Sequence, residues 1–478
     1  MKLLIASKEA CELFMQGAVA LSQMESNGIR VDMDYLNKAI SETESKIKEL
    51  EKKLRNDRIY LIWKKRYGSK TNLDSGNQLG KVIFQDMGFT PREKTPTGRP
   101  KTDEVSLSNL KSELPFIDRY FKVKKLKKAV NTYLKGIQKE VVDGYLHAFF
   151  NLHNIVTYRS SSDSPNLQNF PVRNKLLSEL IKKSFIPRKG RVLVEIDFSG
   201  IEVKIAYCYH KDPVMKEYLT GGGDMHKDMA AQCYLLDTEQ VSKQSRYCAK
   251  NMFVFPQFYG DYYVNCARSL WEAIDKLELK IEGSDTSLTD HLAYKGIKQS
   301  GEFDHEQRPK KGSFEEHIKK VEKDFWGRRF KVYKQWKDSY WNEYQRTGSF
   351  RTLTGFAFNG FGKGGLCKRN EVLNYPVQSV AFHCLLWSII ELQKWISKYK
   401  LDTKLVAEIH DSLIADVPID ELQDFLNAAH CIMTKKLLKC WQWIITPLEI
   451  EVDVTPIDGS WFNKIEWVKK GGLWQEKK

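Results

Sequence analysis

The chain has 478 residues, 42% of them hydrophobic, and a formal net charge of +15 at pH 7. That length exceeds one typical core, so several subdomains are expected, and the basic surplus fits a polyanionic partner. No run approaches the roughly 20 apolar residues of a membrane span, the first residues lack the apolar run of a signal peptide, and the nine cysteines without a C-x-x-C pair read as reduced intracellular thiols, not a zinc site or disulfide framework.

In chain order, Met1–Asp32 predicts a short helix ending at Asn27-Gly28 and then a strand, IRVD. Asp32 or Asp34 caps the next helix. Leu36, Ile40, Ile47, Leu50 and Leu54 recur at helical spacing and predict one amphipathic helix to about Tyr67. Gly68–Gly80 is a polar turn region and Arg92–Thr102 a Pro/Gly/Lys loop. Lys122–Ile137 is a basic helix whose Lys124, Lys127 and Lys128 suit phosphate contact. Tyr145–Phe150 reads as a strand. Ile155–Arg173 is rich in Ser, Asn, Gln and Arg, a composition that suits a DNA minor groove or an ordinary surface loop. Asp212–Cys266 is mostly helical, Asp275–Ser313 a polar insertion, and Glu315–Gly348 a helical region whose aromatic stripe reads as packing. A helix follows Pro376, another spans Leu422–Trp443, and Pro447–Val454 is a strand.

Three distant segments carry the chemistry. Asp197 ends the alternating run Val192–Ile196, and Asp411 sits in the middle of Val406–Asp416, where two apolar runs flank His410-Asp411-Ser412, which predicts a hairpin with the aspartate at its tip. If these strands are neighbours the two carboxylates converge, and Mg²⁺ prefers few carboxylates completed by phosphate oxygens and water. Arg246 and Lys250 share a helix face at i and i+4, where two cations can neutralise a triphosphate. Pro256, inside the same helical run, predicts a kink or π-bulge. Singly, these features also describe a turn aspartate or a solvated helix face; together they point to a nucleotidyl transferase acting on nucleic acid.

The same residues carry a resemblance. Asp197–Glu202 (DFSGIE) resembles motif A of family A DNA polymerases, the bacterial DNA polymerase I type. Arg246–Gly260 resembles motif B, the O-helix, and Ile409–Ser412 (IHDS) motif C. TYRSSSDSPNLQNFP from Thr157, Asp224-Met225-His226, Asn374–Gln378 (NYPVQ) and Met24–Asp32 match further blocks of the family in order, and the chain looks like a phage-like member. The resemblance implies an α+β right hand: palm entry at 1–32, thumb at 33–143, palm at 144–212, fingers at 213–362 and palm again at 363–478. It implies primer–template DNA and dNTPs as partners and two Mg²⁺ ions held by Asp197, Asp411 and the Phe198 carbonyl. Catalysis would fall to Asp197, Asp411 and Lys250, and nucleotide binding to Arg246, Lys250, Phe255, Tyr259, Glu202, Phe198 and His226. Glu202 matches the steric gate against a 2′-hydroxyl. DNA contact would fall to Arg159, Asn166, Gln168, Asn169, Asn374, Gln378 and His410, with Lys124, Lys127 and Lys128 on the thumb.

The departures from the family are specific. Gly200 replaces the usual motif A glutamine, and Ser412 an acidic residue of motif C. Arg369 is displaced by one residue from the family arginine. Motif B has one extra residue, so counting from Lys250 puts Val254 at the sugar-stacking position and counting back from Tyr259 puts Phe255 there; Phe255 is preferred, because Pro256 marks where the extra residue is absorbed. No D-x-E block begins a proofreading exonuclease: that domain is a separate polypeptide, or lost, or the chain is truncated; a natural polymerase-only chain is the expectation, and a separate exonuclease or another replisome subunit a candidate partner. The expected setting is the cytoplasm, the host's if the chain is viral. A single-subunit RNA polymerase and a catalytically silent DNA-binding scaffold are the competing readings; Glu202 opposes the first and the retained Asp197, Asp411, Arg246 and Lys250 the second.

Overall fold

A computed structural model of the chain describes residues 4–95, 97–171, 174–360, 367–409 and 411–477. The N-terminal helix α1 (Lys8–Asn27) ends at Gly28, and α2 (Met33–Arg55) is capped by Asp32, whose side chain accepts from Tyr35 N at 2.9 Å. Apolar spacing predicts that this helix continues to Tyr67. Instead the chain breaks at Asn56-Asp57, and Asp57 accepts from Ile59 N at 3.0 Å to start α3 (Arg58–Tyr67). A good N-cap residue wins over continued periodicity. The polar turn region includes a short helix, Gly76–Lys81. The basic helix starts earlier than its lysines suggest: α4 (Pro115–Lys128) opens on a proline, widens into a π-helical turn at Ala129–Leu134 and continues as α5 (Lys135–Glu140). The outer parts of these helices enclose a small core of their own, built on Trp63, Leu79, Ile83, Phe116 and Tyr120.

The centre of the molecule is a six-stranded antiparallel sheet. Its strands are β1 (Arg191–Phe198), β2 (Lys404–Ile409), β3 (Ser412–Pro418), β4 (Ile450–Val454), β5 (Ile465–Lys470) and β6 (Leu473–Glu476), in the order β6-β5-β4-β1-β3-β2. β2 and β3 form the expected hairpin, and β3 pairs with β1 in the register Ser412↔Asp197. The strand at Pro447–Val454 is confined to Ile450–Val454, and the terminal β5–β6 hairpin was not anticipated.

Helices cover the sheet and build the second lobe: α6 (Ile201–His210), α7 (Met225–Tyr234), α8 (Lys243–Ala249), α9 (Phe255–Tyr259), α10 (Tyr263–Lys276), α11 (Leu288–Tyr294), α12 (Phe314–Asp324), α13 (Lys331–Thr347) and α14 (Arg369–Tyr399). α14 begins before Pro376, not after it. Lys368 N donates to Glu371 Oε2 at 2.7 Å, and Val372 and Leu373 are buried, so the turn forms ahead of the proline. α1 crosses α14 closely: a Cβ on Gly17 would lie 2.8 Å from Leu386 Cδ2. In the aromatic stripe Phe325, Phe330, Tyr333 and Tyr344 are buried, as a packing role requires. The polar insertion is folded too, since Leu279, Leu288, Leu292 and Ile297 join the main core. The class is α+β, and no helix among the described residues is long and apolar enough to cross a membrane.

Candidate active site

β1 buries Val192, Leu193, Val194 and Ile196 and brings Asp197 near the strand's end, between Ser412 on β3 and Glu451 on β4. Asp411 occupies the turn of the β2–β3 hairpin, which Ser412 closes by donating its hydroxyl to Ile409 O at 3.0 Å. His410 lies outside the described residues. Asp197 and Asp411 line one cleft of about 240 Å³ with Phe198, Glu202, Phe255, Tyr259 and Asn374. Burial, then the charges of Asp411, Glu451 and Glu195, push the Asp197 carboxyl up to about 7, and its buried Oδ1 accepts no hydrogen bond. An acceptor crowded by like charge fits a cation: the pair matches the few-carboxylate preference of Mg²⁺.

One wall of the cleft is a polar chain. Arg159 donates through Nε to Gln378 O at 3.2 Å, pairs with Glu202, and stands 3.9 Å from Asp411 Oδ1. The Tyr259 hydroxyl donates to the other oxygen of Glu202. Asn374 Nδ2 reaches Tyr259 O at 3.1 Å, and Asn370 lies against Gly260. That glycine has φ +91°, and a Cβ there would lie 2.3 Å from Asn370 Oδ1, so α9 is pinned to α14 at a position only glycine fills.

Arg246 and Lys250 share a helix face as spacing predicts, but not the same partners. Arg246 Nε donates to Asp224 Oδ2 at 2.5 Å, and Asp224 also caps α7 through His226 N and Lys227 N. The Lys250 ammonium lies 5.3 Å from the centre of the Phe255 ring. His226 meets the same ring edge-on at 5.7 Å. Burial, then Lys250 and Arg246, push its imidazole down to about 4, so it is neutral at pH 7, and its buried Nδ1 has no hydrogen-bond partner. Neither cation lines the carboxylate cleft itself; Phe255 connects the two parts.

The extra residue of this helix is taken up in a five-residue π-helical turn, Lys250–Val254, directly before Phe255 and Pro256. Val254 is fully buried, and Phe255 lines the cleft. Phe255→Ala is therefore expected to raise the KM for a nucleotide about tenfold or more with little change in melting temperature, whereas Val254→Ala costs about 1–3 kcal/mol of stability and leaves KM nearly unchanged. Steady-state kinetics beside thermal melts separates the two.

The described part of the polar segment, residues 155–171, is largely anchored internally. Ser160 Oγ donates to Glu408 Oε2 at 2.6 Å and Gln168 Nε2 to the same oxygen at 3.2 Å. Asn166 accepts from Asn169 N at 3.1 Å, capping a short turn. Glu408, not foreseen from the sequence, is fully buried on β2, and burial pushes its carboxyl up to about 8. It ties the Asp411 hairpin to the segment bearing Arg159. Glu408→Ala takes the acceptor from the buried Ser160 hydroxyl and the half-buried Gln168 amide and is expected to cost about 1–3 kcal/mol in denaturant unfolding. The α4 lysines lie apart from the cleft: Lys124 covers the Tyr120 ring, Lys127 pairs with Glu51 at 2.8 Å and Asp74 at 3.5 Å, and Lys128 stands over Tyr133.

Comparison with known proteins places this geometry. The DNA polymerase from Bacillus phage SP01 is 27% identical, covering 88% of this chain and 47% of its own length. DNA polymerase I of Lactococcus lactis subsp. cremoris is also 27% identical, covering 85% and 41%. The thermostable DNA polymerase I of Thermus thermophilus is 32% identical over 48% of this chain and 27% of its own. The chain thus spans less than half the length of these relatives. Among solved structures, the POL domain of Pol1 from M. smegmatis, in complex with DNA primer-template and dNTP, superposes with a TM-score of 0.73 at 22% identity, over 94% of this chain and 70% of that one, and shares its fold. The family model for DNA polymerase family A matches residues 33–283, more than half of the sequence, and the chain belongs to that family.

Proposed function

We propose that this chain is a template-directed DNA polymerase that adds deoxynucleotides to a primer 3′-hydroxyl by two-metal nucleotidyl transfer in phage DNA replication, in the host cytoplasm. The observation that carries the reading is the convergence of Asp197 on β1 and Asp411 in the turn leading into the adjacent β3, in a cleft also lined by Phe255 and Tyr259. Asp197 and Asp411, with the Phe198 carbonyl, are the residues to hold Mg²⁺. When bound, the two ions supply Lewis-acid activation of the 3′-hydroxyl and stabilise the pyrophosphate leaving group.

The chain's own residues do the rest. Lys250 and Arg246 neutralise the triphosphate and the charge that builds during transfer, beside a neutral His226. Phe255 stacks on the incoming sugar, and Tyr259 closes the helix by the templating base. Glu202 lies under the sugar and excludes a 2′-hydroxyl. Arg159, Gln378 and Asn374 contact primer–template near the cleft, with Asn166, Gln168 and Asn169 behind them, and Lys124, Lys127 and Lys128 follow the phosphate backbone from the thumb. In this reading the thumb is 33–143, the fingers 213–362 and the palm the remainder.

The test is primer extension with Mg²⁺ and either dNTPs or rNTPs. Extension with dNTPs alone, lost in Asp411→Ala and extended to rNTPs in Glu202→Ala, is the expected result. Duplex binding without extension by the unaltered protein would overturn the reading.

A further inference from the structure

The N-terminal lobe and the polar insertion each carry a preformed polar hairpin. On the lobe, Lys94 and Pro100 form an antiparallel bridge, Lys101 N donates to Glu93 O at 2.9 Å, and Lys101 Nζ pairs with Glu93 Oε2 at 2.5 Å. In the insertion, Phe303 bridges Pro309 and Lys310 N donates to Glu302 O at 3.0 Å. That hairpin is anchored at its base: Ser300 Oγ and Gly301 N donate to Glu315 Oε1 at 2.6 and 2.7 Å, and Glu315 is only 2% exposed.

The two hairpins line opposite parts of one crevice. The Arg92 guanidinium pairs with Glu272 on α10, 180 residues away in sequence. Beside the pair is a crevice of about 450 Å³, lined by Arg92, Glu93 and Lys94 from the lobe and by Arg268, Trp271 and Phe303 from the other side. The outer lobe has a core separate from the main one, which holds the sheet, α10 and the insertion. The lobe therefore joins the main body at its base through α2 and α5, and a second time through Arg92–Glu272.

We propose that the Arg92–Glu272 contact is a clasp that closes the chain around bound primer–template, so that the protein retains DNA by enclosing it. The clasp rests on the polymerase reading above and adds a retention device to it. Its chemistry suits a reversible closure. Both side chains are about one-third exposed, at 36% and 31%, and a partly exposed ion pair is weak and screened by salt. It can open to load DNA, which a fused apolar interface could not do.

The experiment uses the full chain on a primed closed-circular single strand with a heparin trap, so that product length reports one binding event. Arg92→Glu and Glu272→Arg are each expected to shorten the product about two- to fivefold, the range of a partly exposed ion pair, and the double swap R92E/E272R to restore it. Single-nucleotide incorporation should be equal in all four proteins. Unchanged product lengths in the single variants, with normal incorporation, would overturn the clasp alone. Faster DNA loading with unchanged length would assign the contact to the DNA-free protein and likewise overturn it. No incorporation by the unaltered chain would overturn the polymerase reading, and the clasp with it.

Discussion

Asp197→Asn is expected to abolish primer extension and, in the metal-free protein, to raise stability above pH 7. The first effect follows from removing one of two carboxylates that hold the ions; a loss of several kcal/mol from the transition state is roughly 10³-fold or more in rate. The second follows from the raised carboxyl, about 7 in the fold against 3.8 in an unfolded chain. Below pH 3.8 both states are protonated and the group costs nothing. Between about pH 4 and 7 the unfolded chain releases the proton while the fold retains it, so stability falls as pH rises. Above pH 7 the fold carries the full burden of a buried charge beside Asp411 and Glu451, at most about 4 kcal/mol. Asparagine carries no charge, so denaturant unfolding in EDTA should find the variant more stable than wild type by about 1–3 kcal/mol at pH 8 and nearly equal at pH 4. Mg²⁺ should raise the melting temperature of the wild type and not of the variant. A variant no more stable than wild type at pH 8 would show that Asp197 is not under the strain its surroundings imply.

Lys250→Ala is expected to lower kcat about 10²- to 10³-fold, the usual cost of removing one preorganised group aimed at developing charge. Arg246→Ala should act differently. Arg246 pairs with Asp224, so its loss also bares a carboxylate near the triphosphate and should raise KM about 10- to 100-fold with a smaller change in kcat. A readout independent of activity accompanies the lysine variant. Lys250 is, after burial, the main charge holding the His226 imidazole down near 4. In Lys250→Ala the imidazole should titrate closer to the ordinary histidine range, which an NMR pH titration would resolve. An unmoved His226 together with wild-type kcat would remove Lys250 from the site.

The sheet centre was readable because its information is local. β1 and the β2–β3 hairpin announce themselves by alternation, and a charged Asp411 between two apolar runs has no place but a turn. The π-helical turn before Pro256 was equally legible, since a surplus residue and a proline fell together in one short helix. The misses share a different cause. Periodicity carries straight across Asn56-Asp57, and only the Asp57 side chain, by capping Ile59 N, shows that two helices are present. Pro376 suggests a helix start because its missing N–H is harmless there, yet burial of Val372 and Leu373 extends α14 ahead of it. Glu408 looks like the outward residue of an alternating strand. Its partners Ser160 and Gln168 lie some 240 positions away, and nothing in the sequence alone brings them to it. Arg92 and Glu272 are likewise a pair that only the fold creates.

The widened turn at Lys250–Val254 also bears on how this helix can change in length. In a regular α-helix one inserted or deleted residue rotates everything beyond it by about 100°. Such a change would carry Phe255 and Tyr259 away from the cleft while Arg246 and Lys250 stayed in place. A π-helical turn stores the surplus residue as a local bulge and leaves both flanking faces aligned. Between Lys250 and Pro256, then, the chain can lose one residue and relax to ordinary α-helix without disturbing either end. The segment is a place where the gene tolerates the loss of one codon.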